Sequence, residues 1–221
     1  VTPRLVVLAA PSGAGKTTIA RALVARRRDV GFSVSATTRS PRAGEQEGAD
    51  YYFLSPAEFD RRIAAGAFLE WAEYAGQRYG TLRAEVDRIR RGGRNVLLDI
   101  EVQGAAQVRE RYPPPESLAI FLLPPSGREL VNRLRGRGTE AHVALWRRLE
   151  QANQELQRVP AFDHVVVNDD LDAAVDEVSA AIDDRRPRQA PEDVRRRVTH
   201  LVRELEQALD DLKRTAGKGK A

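Results

Sequence analysis

Residues 10–17 read Ala10-Pro11-Ser12-Gly13-Ala14-Gly15-Lys16-Thr17, with Thr18 next. They match the pattern G-x-x-x-x-G-K-[ST] at every defined position except the first, where alanine replaces glycine. The pattern is a phosphate cradle. Gly13 and Gly15 allow a tight turn whose N–H groups face inward, and the N-terminus of a following helix adds partial positive charge. Lys16 has the reach for the β- and γ-phosphates of a nucleotide, and the Thr17 hydroxyl is an oxygen ligand suited to Mg²⁺. Lysine usage singles out the same position: only four of the 36 basic residues are lysines, and the other three are Lys213, Lys218 and Lys220. A chain so biased to arginine that keeps lysine at 16 points to a chemical requirement there. Asp99 lies at the end of a separate apolar run, the usual place for an acid that orders Mg²⁺ and its waters. A carboxylate capping a loop is the plainer alternative.

These residues need a scaffold. Residues 4–9, 95–100, 118–123 and 165–167 are short apolar runs rich in branched side chains, and helical patterns separate them. That alternation predicts an α/β fold with a parallel sheet covered by helices, the first strand running into the phosphate cradle. A helix is expected from Thr17 to about Arg28, with Ile19, Ala20, Leu23 and Val24 on one face. Two stretches break the rhythm, at 32–80 and at 126 to about 159. In the first, Ser55-Pro56-Ala57-Glu58 reads as an N-cap, a proline at the first helical position and a capping-box glutamate, with Phe59 and Ile63 as the apolar stripe and Gly66 as the stop. In the second, the stripe Leu145, Leu149, Ala152, Leu156, Val159 follows a basic, glycine-containing elbow at Arg133, Arg135 and Arg137. After Pro187 and Pro191 a further helix pattern carries Val194, Val198, Leu201, Leu205, Ala208 and Leu212. That stripe could pair two copies of the chain into a homo-oligomer or pack back onto the body. The Arg195-Arg196-Arg197 run beside it reads as a nucleic-acid contact or, more plainly, as a solvated face.

Composition narrows the classes. Of 221 residues 42% are hydrophobic, enough to bury a core, and 31% are charged. No cysteine is present and there are three histidines, which excludes disulfides, thiolate metal sites and cysteine nucleophiles. No apolar run reaches the roughly 18–20 residues of a membrane span, and no signal-peptide pattern is seen, so no membrane association and a cytoplasmic location are expected. The net charge of +4 is uneven: residues 185–221 hold 11 basic and 6 acidic side chains, the rest 25 and 26. A basic tail on a near-neutral body weakens a whole-protein nucleic-acid reading, and no specific nucleic acid is expected.

A resemblance supplies the second substrate. Residues 32–45 (Phe32 through Ser35, Arg39 and Arg42 to Glu45) and 48–53 (Gly48 to Phe53) resemble the signature of guanylate kinases. The same holds for Gly66-Ala-Phe-Leu-Glu70-Trp71, Tyr79-Gly80-Thr81, Leu98-Asp99-Ile-Glu101-Val-Gln103-Gly104, Arg135-Gly-Arg137-Gly-Thr139 and Val167-Asn168-Asp169-Asp170, in the family's order over about residues 4–184. The resemblance implies a P-loop kinase fold over residues 1–184: a core of 1–31, 82–125 and 160–184, a GMP-binding subdomain of 32–81, and a lid of 126–159. The basic helical extension of 185–221 lies outside it.

It also implies roles, which the chemistry of each position suits. Arg39, Arg42, Tyr51 and Tyr79 match the residues that hold the GMP phosphate, where guanidinium forks and phenol hydroxyls bind phosphate oxygens. Ser35 faces the nucleotide on the same segment, and Gly80, Asp99 and Glu101 belong to the GMP set. Base choice rests on Glu70, Thr81 and Glu101: guanine offers N1–H and an exocyclic amine as adjacent donors to a carboxylate, whereas adenine offers a bare acceptor at N1. Thr81 as the N-cap of the next helix is the competing reading. Position 101 is often aspartate in the family, and glutamate is longer by one methylene. Residues 10–18, Arg133, Arg137 and Asn168 form the ATP set, with Thr17 and Asp99 serving Mg²⁺, the expected cofactor. Lys16, Arg39, Arg137 and Arg148 are the expected catalytic cations; Arg135 is either a further one or a solvent-facing charge. The implied activity is phosphoryl transfer from ATP to GMP, and to dGMP as a second acceptor. Two other readings stand beside it, an inactive peptide-binding module and a kinase of another nucleoside monophosphate.

Overall fold

In the computed structural model, residues 2–74, 76–135, 142–185 and 191–218 are described. In chain order the elements are β1 (Leu5–Ala9), α1 (Lys16–Arg26), β2 (Val30–Phe32), β3 (Ser35–Thr37), β4 (Tyr52–Phe53), α2 (Pro56–Ala64), β5 (Phe68–Tyr74), β6 (Gln77–Leu82) and α3 (Arg83–Arg91). There follow β7 (Asn95–Asp99), α4 (Val102–Arg111), β8 (Ser117–Leu123), α5 (Gly127–Arg135), α6 (His142–Leu156), a 3₁₀ turn (Val159–Ala161), β9 (His164–Val167), α7 (Leu171–Ile182) and α8 (Pro191–Lys218). The chain divides into two units, residues 1–9 with 20–119 and residues 10–19 with 120–221. The α/β class with a parallel, helix-covered sheet is the one the apolar runs predicted.

In the first unit, β1 and β2 both pair parallel with β7, Leu5 opposite Val96 and Val30 opposite Asn95. All of β1 and the middle of β7 are buried, which is why both read as unbroken apolar runs rather than alternating ones. A second, mixed sheet in the order β4-β3-β6-β5 uses the polar stretch that broke the alternation. Its inner face packs Ala36, Phe68 and Leu82 against Phe59 of α2, with the Phe59 and Phe68 rings stacked 4.4 Å apart. The start of α2 is as read: Ser55 Oγ accepts from the Glu58 N–H at 3.2 Å and Pro56 opens the helix. The other half of the capping box is absent, because the Glu58 carboxylate is taken by Arg61 and Arg62. Thr81 is not a helix cap either. Leu82 holds that position for α3, without a side-chain bond.

In the second unit, β8 pairs parallel with β9, Ile120 opposite His164 through Leu123 opposite Val167. The two helices expected in the second stretch are α5 and α6, but Arg133 and Arg135, expected in the elbow between them, belong to the end of α5, because the buried stripe Leu130, Val131, Leu134 carries the helix through them. The tail forms α8, which packs on α5, α6 and the 3₁₀ turn of its own chain. Its buried face is Val198, Leu201, Leu205, Leu209 and Leu212. Leu209 takes the place given to Ala208, because a straight helix of 3.6 residues per turn drifts off a strict heptad. Among the described residues no helix is long and apolar enough to cross a membrane.

Candidate active site

The phosphate cradle lies in the second unit. Gly13 and Gly15 both have φ +88°, in the left-handed region that side chains avoid. The Ala14 N–H donates to the Pro11 carbonyl at 3.0 Å to close the turn, and the Ile19 N–H donates to the Gly15 carbonyl at 3.2 Å as the helix starts. Lys16 and Thr17 are the first two residues of α1, whose first turn contains no acid to offset its positive end. Ala10 is buried and keeps φ out of the left-handed region, so its methyl substitutes for glycine without strain. The loop is braced from two sides. Asn168 donates its Nδ2 to the Ala14 carbonyl at 2.7 Å and sits where a Cβ on Gly15 would collide with it. Leu134 and Leu130 of α5 lie 3.1 and 3.4 Å from where a Cβ on Gly13 would stand. Each glycine is therefore required twice, for its φ and for the space it leaves.

The helices beyond carry the arginines. Arg133 pairs with Glu129 one turn earlier at 2.9 Å, and Arg148 of α6 donates to the Leu134 carbonyl at 3.3 Å in the last turn of α5. Arg135 is exposed. Arg137, the remaining arginine of the expected elbow, falls within 136–141 and lies outside the described residues.

The second constellation lies in the first unit, on the outer face of the mixed sheet. Ser35 opposes Thr81, and Thr81 in turn opposes Glu70, so three polar residues line up across β3, β6 and β5. Period-2 alternation puts Tyr79 on that face and Gly80 on the other. The register slips between Phe68 and Glu70, a bulge that sends Phe68 to the core and Glu70 to the polar row. Glu70 is 3% exposed, and its Oε1 accepts both the Thr81 N–H at 3.0 Å and the Thr81 hydroxyl at 2.6 Å. Its other oxygen, Oε2, lies where a Cβ on Gly104 of α4 would stand, with Cδ 2.9 Å from that point. Gly80 leaves room for the Phe68 ring, 2.8 Å from where its Cβ would be.

Beside this row Arg39, Tyr51 and Tyr79 come together. The Arg39 guanidinium lies 5.3 Å from the Tyr51 ring centre, and the two tyrosine rings are 6.0 Å apart, edge to face. Arg39 donates to Glu45 at 2.8 Å and to the Ser40 carbonyl at 2.7 Å. The Glu45 hydrogen bond, ahead of the opposing effect of burial, raises the Arg39 pKa above its ordinary value. The same bond holds the Glu45 carboxyl below the usual carboxylate range. Glu45 also accepts from the Arg42 N–H at 2.7 Å, while the Arg42 residue itself is exposed. Asp99 ends β7, half-buried. Glu101 sits at the N-cap position of α4 without a side-chain capping bond, so the extra methylene is not spent on the helix.

A glycine turn followed by a lysine thus lies in one unit, and a buried carboxylate beside an arginine and tyrosine cluster in the other. The family model described as guanylate kinase matches residues 2–185. The chain belongs to the guanylate kinase family. It is 48% identical over 179 residues to the guanylate kinase of Nostoc sp., covering 81% of this chain and 89% of that one. It is equally 48% identical over 187 residues to the guanylate kinase of Anaeromyxobacter dehalogenans, covering 84% and 82%. The crystal structure of guanylate kinase from Anaplasma phagocytophilum superposes with a TM-score of 0.69 at 33% identity, covering 83% of this chain and 86% of that one. Within this guanylate kinase frame the residues missed from sequence are supporting ones. Leu130 and Leu134 back the glycine turn, and Gly104, quoted in the signature but given no role there, makes room for Glu70. Only the glycine left a trace, standing two residues into a helix in place of a better helix former.

Proposed function

We propose that the chain catalyses ATP + GMP ⇌ ADP + GDP, with dGMP as a second acceptor, in cytoplasmic purine nucleotide metabolism and GMP recycling. The observation that carries this is Glu70: a buried carboxylate held by two Thr81 donors at the end of a polar row. Guanine meets such a group with two adjacent donors, whereas adenine would leave it facing a lone pair in a site shielded from water. A mismatch of that kind discriminates by ~10⁴–10⁵ where a site hydrogen-bonds a group the wrong substrate lacks. Neither the inactive module nor another acceptor base is favoured by any of these residues.

In this reading residues 32–81 take GMP, Ser35 and Thr81 beside the base with Glu70 and Glu101, and Arg39, Arg42, Tyr51 and Tyr79 on the phosphate. Residues 10–18 take the ATP phosphates, with Lys16 on the β- and γ-oxygens. The Thr17 hydroxyl and the Asp99 carboxylate are hard oxygen donors of the class Mg²⁺ prefers, the carboxylate acting through water. Mg²⁺ bound with ATP supplies charge neutralisation on the phosphates. No side chain need act as a general base, since the acceptor phosphate oxygen is already largely ionised near neutral pH (second pKa roughly 6). The work of the chain is to align two anions, offset their repulsion with Lys16, Arg39, Arg133, Arg137 and Arg148, and exclude water that would otherwise accept the phosphoryl group.

A coupled ATP/Mg²⁺ assay with GMP, dGMP, AMP and UMP tests the assignment. Turnover of GMP and dGMP alone is expected, and Glu70→Ala should raise the KM for GMP far more than that for ATP. No turnover with any acceptor, or preference for AMP or UMP, would reject it.

A further inference from the structure

The family model stops at residue 185, and α8 begins at Pro191. The helix is nonetheless built into the ATP-side unit, with five aliphatic side chains from Val198 to Leu212 buried in its own chain. One of its contacts is with the start of α5. Gly127 has no left-handed φ, so its glycine is there for space. A Cβ built on it would stand 2.6 Å from Glu204 Cβ and 3.2 Å from the Leu201 carbonyl oxygen. Across that gap the Gly127 N–H donates to Glu204 Oε2 at 2.7 Å. Ser126 Oγ already accepts the Glu129 N–H at 3.1 Å, so Glu204 takes a second of the N–H groups that a helix start leaves unsatisfied. Its negative charge there also suits the positive end of α5.

The same helix α5 reaches the nucleotide loop. Leu130 and Leu134, one and two turns on from Gly127, lie against Gly13, and Arg148 ties the last turn of α5 to α6. One rigid helix is thus fastened to α8 at its start and braces the phosphate cradle along its length. We propose that α8 is a strap that sets the position of α5 against the phosphate loop, and that Glu204 is a positioning residue for ATP. Its effect passes through Gly127, α5 and the two leucines, and Glu204 touches no substrate. This deepens the kinase reading and rests on it.

Steady-state kinetics on full-length Glu204→Ala, Glu204→Gln and Gly127→Ala test the proposal, with far-ultraviolet circular dichroism and Tm to show that each is folded. Glu204 has a side chain 26% exposed, so its replacement leaves no core cavity. Glu204→Ala should raise the KM for ATP by up to about fivefold, the factor reached if all of a capping bond's contribution to helix stability is passed on to the loop, with the KM for GMP unmoved. Glu204→Gln keeps an acceptor oxygen and should recover most of the loss. Gly127→Ala, which forces the same contact apart from the other side, should show the same ATP-selective defect. An unchanged KM for ATP in Glu204→Ala, a matched rise for both substrates, or a glutamine variant no better than alanine would each overturn it. Wild-type turnover of GMP tests the underlying assignment separately: if the wild type is inactive the kinase reading fails, and if it is active with Glu204→Ala indistinguishable from it, only the strap does.

Discussion

Glu70 illustrates how much a single carboxylate depends on what surrounds it. Its residue type and family spacing are plain in the chain, yet its reach is set by Thr81, which supplies two donors to one oxygen, and by Gly104, whose missing side chain makes room for the other. Gly104→Ala therefore has an expected outcome separable from simple damage. Alanine is the better helix former by about 1 kcal/mol, and what stands in its way is the Glu70 carboxyl group rather than backbone, so α4 should persist while the carboxylate is displaced. The KM for GMP should rise roughly tenfold, the equivalent of about 1.4 kcal/mol, with the KM for ATP unaltered in the same coupled assay. Equal changes in both would mean that the helix rather than the carboxylate had moved. Thr81 shows the limit of local reasoning. A threonine before a helical pattern is a fair N-cap, but here its hydroxyl is engaged across the strand pair and Leu82 enters the helix uncapped.

Among the elements, α3 shows how a helix with a polar sequence is held to the mixed sheet. Glu85 is buried, accepts from Arg88 at 2.9 Å on its own helix and from the Tyr52 hydroxyl of β4 at 3.1 Å. The Arg88 hydrogen bonds, outweighing burial, hold its carboxyl below the usual range. A depressed carboxylate stabilises the fold at pH above its ordinary pKa and loses that contribution as pH falls through the depressed value. Glu85→Gln should accordingly lower Tm at pH 7, and the gap to wild type should close as pH falls below about 4. A gap constant across that window would show that the charge plays no part. The buried strands β1, β7, β8 and β9 and the start of α2 follow from patterns that need no tertiary knowledge: unbroken apolar runs for the strands, and Ser55-Pro56 for the helix start. The bulge between Phe68 and Glu70 does not, since it is a property of two strands in register and neither segment carries it alone.

At the scale of the whole molecule, the tail is where a local pattern left its partner open. Its aliphatic stripe suits a second copy as well as the body, because a hydrophobic face is indifferent to which apolar surface covers it. In the structure α5, α6 and the 3₁₀ turn cover it, and Leu205 is wholly buried. Leu205→Ala should then cost about 2–5 kcal/mol, the range for a leucine removed from a packed core, read as a fall in the urea midpoint of the full chain. A change under about 0.5 kcal/mol, the usual size for a surface substitution, would mark α8 as loosely attached.

The amino-acid sequence by itself determined the fold class, the phosphate cradle with its single lysine, and the family whose second substrate is a guanine nucleotide. Those are carried by residue type at fixed spacing along one stretch of chain, where backbone geometry and periodicity act locally. Which oxygen of Glu70 is engaged, why residues 104 and 127 are glycine, what braces Gly13, and where α8 lies were decided only in three dimensions. Each is a close approach between separate elements, 11 residues apart for Glu70 and Thr81 and 77 for Gly127 and Glu204, and steric fit between elements leaves no periodic trace in either segment.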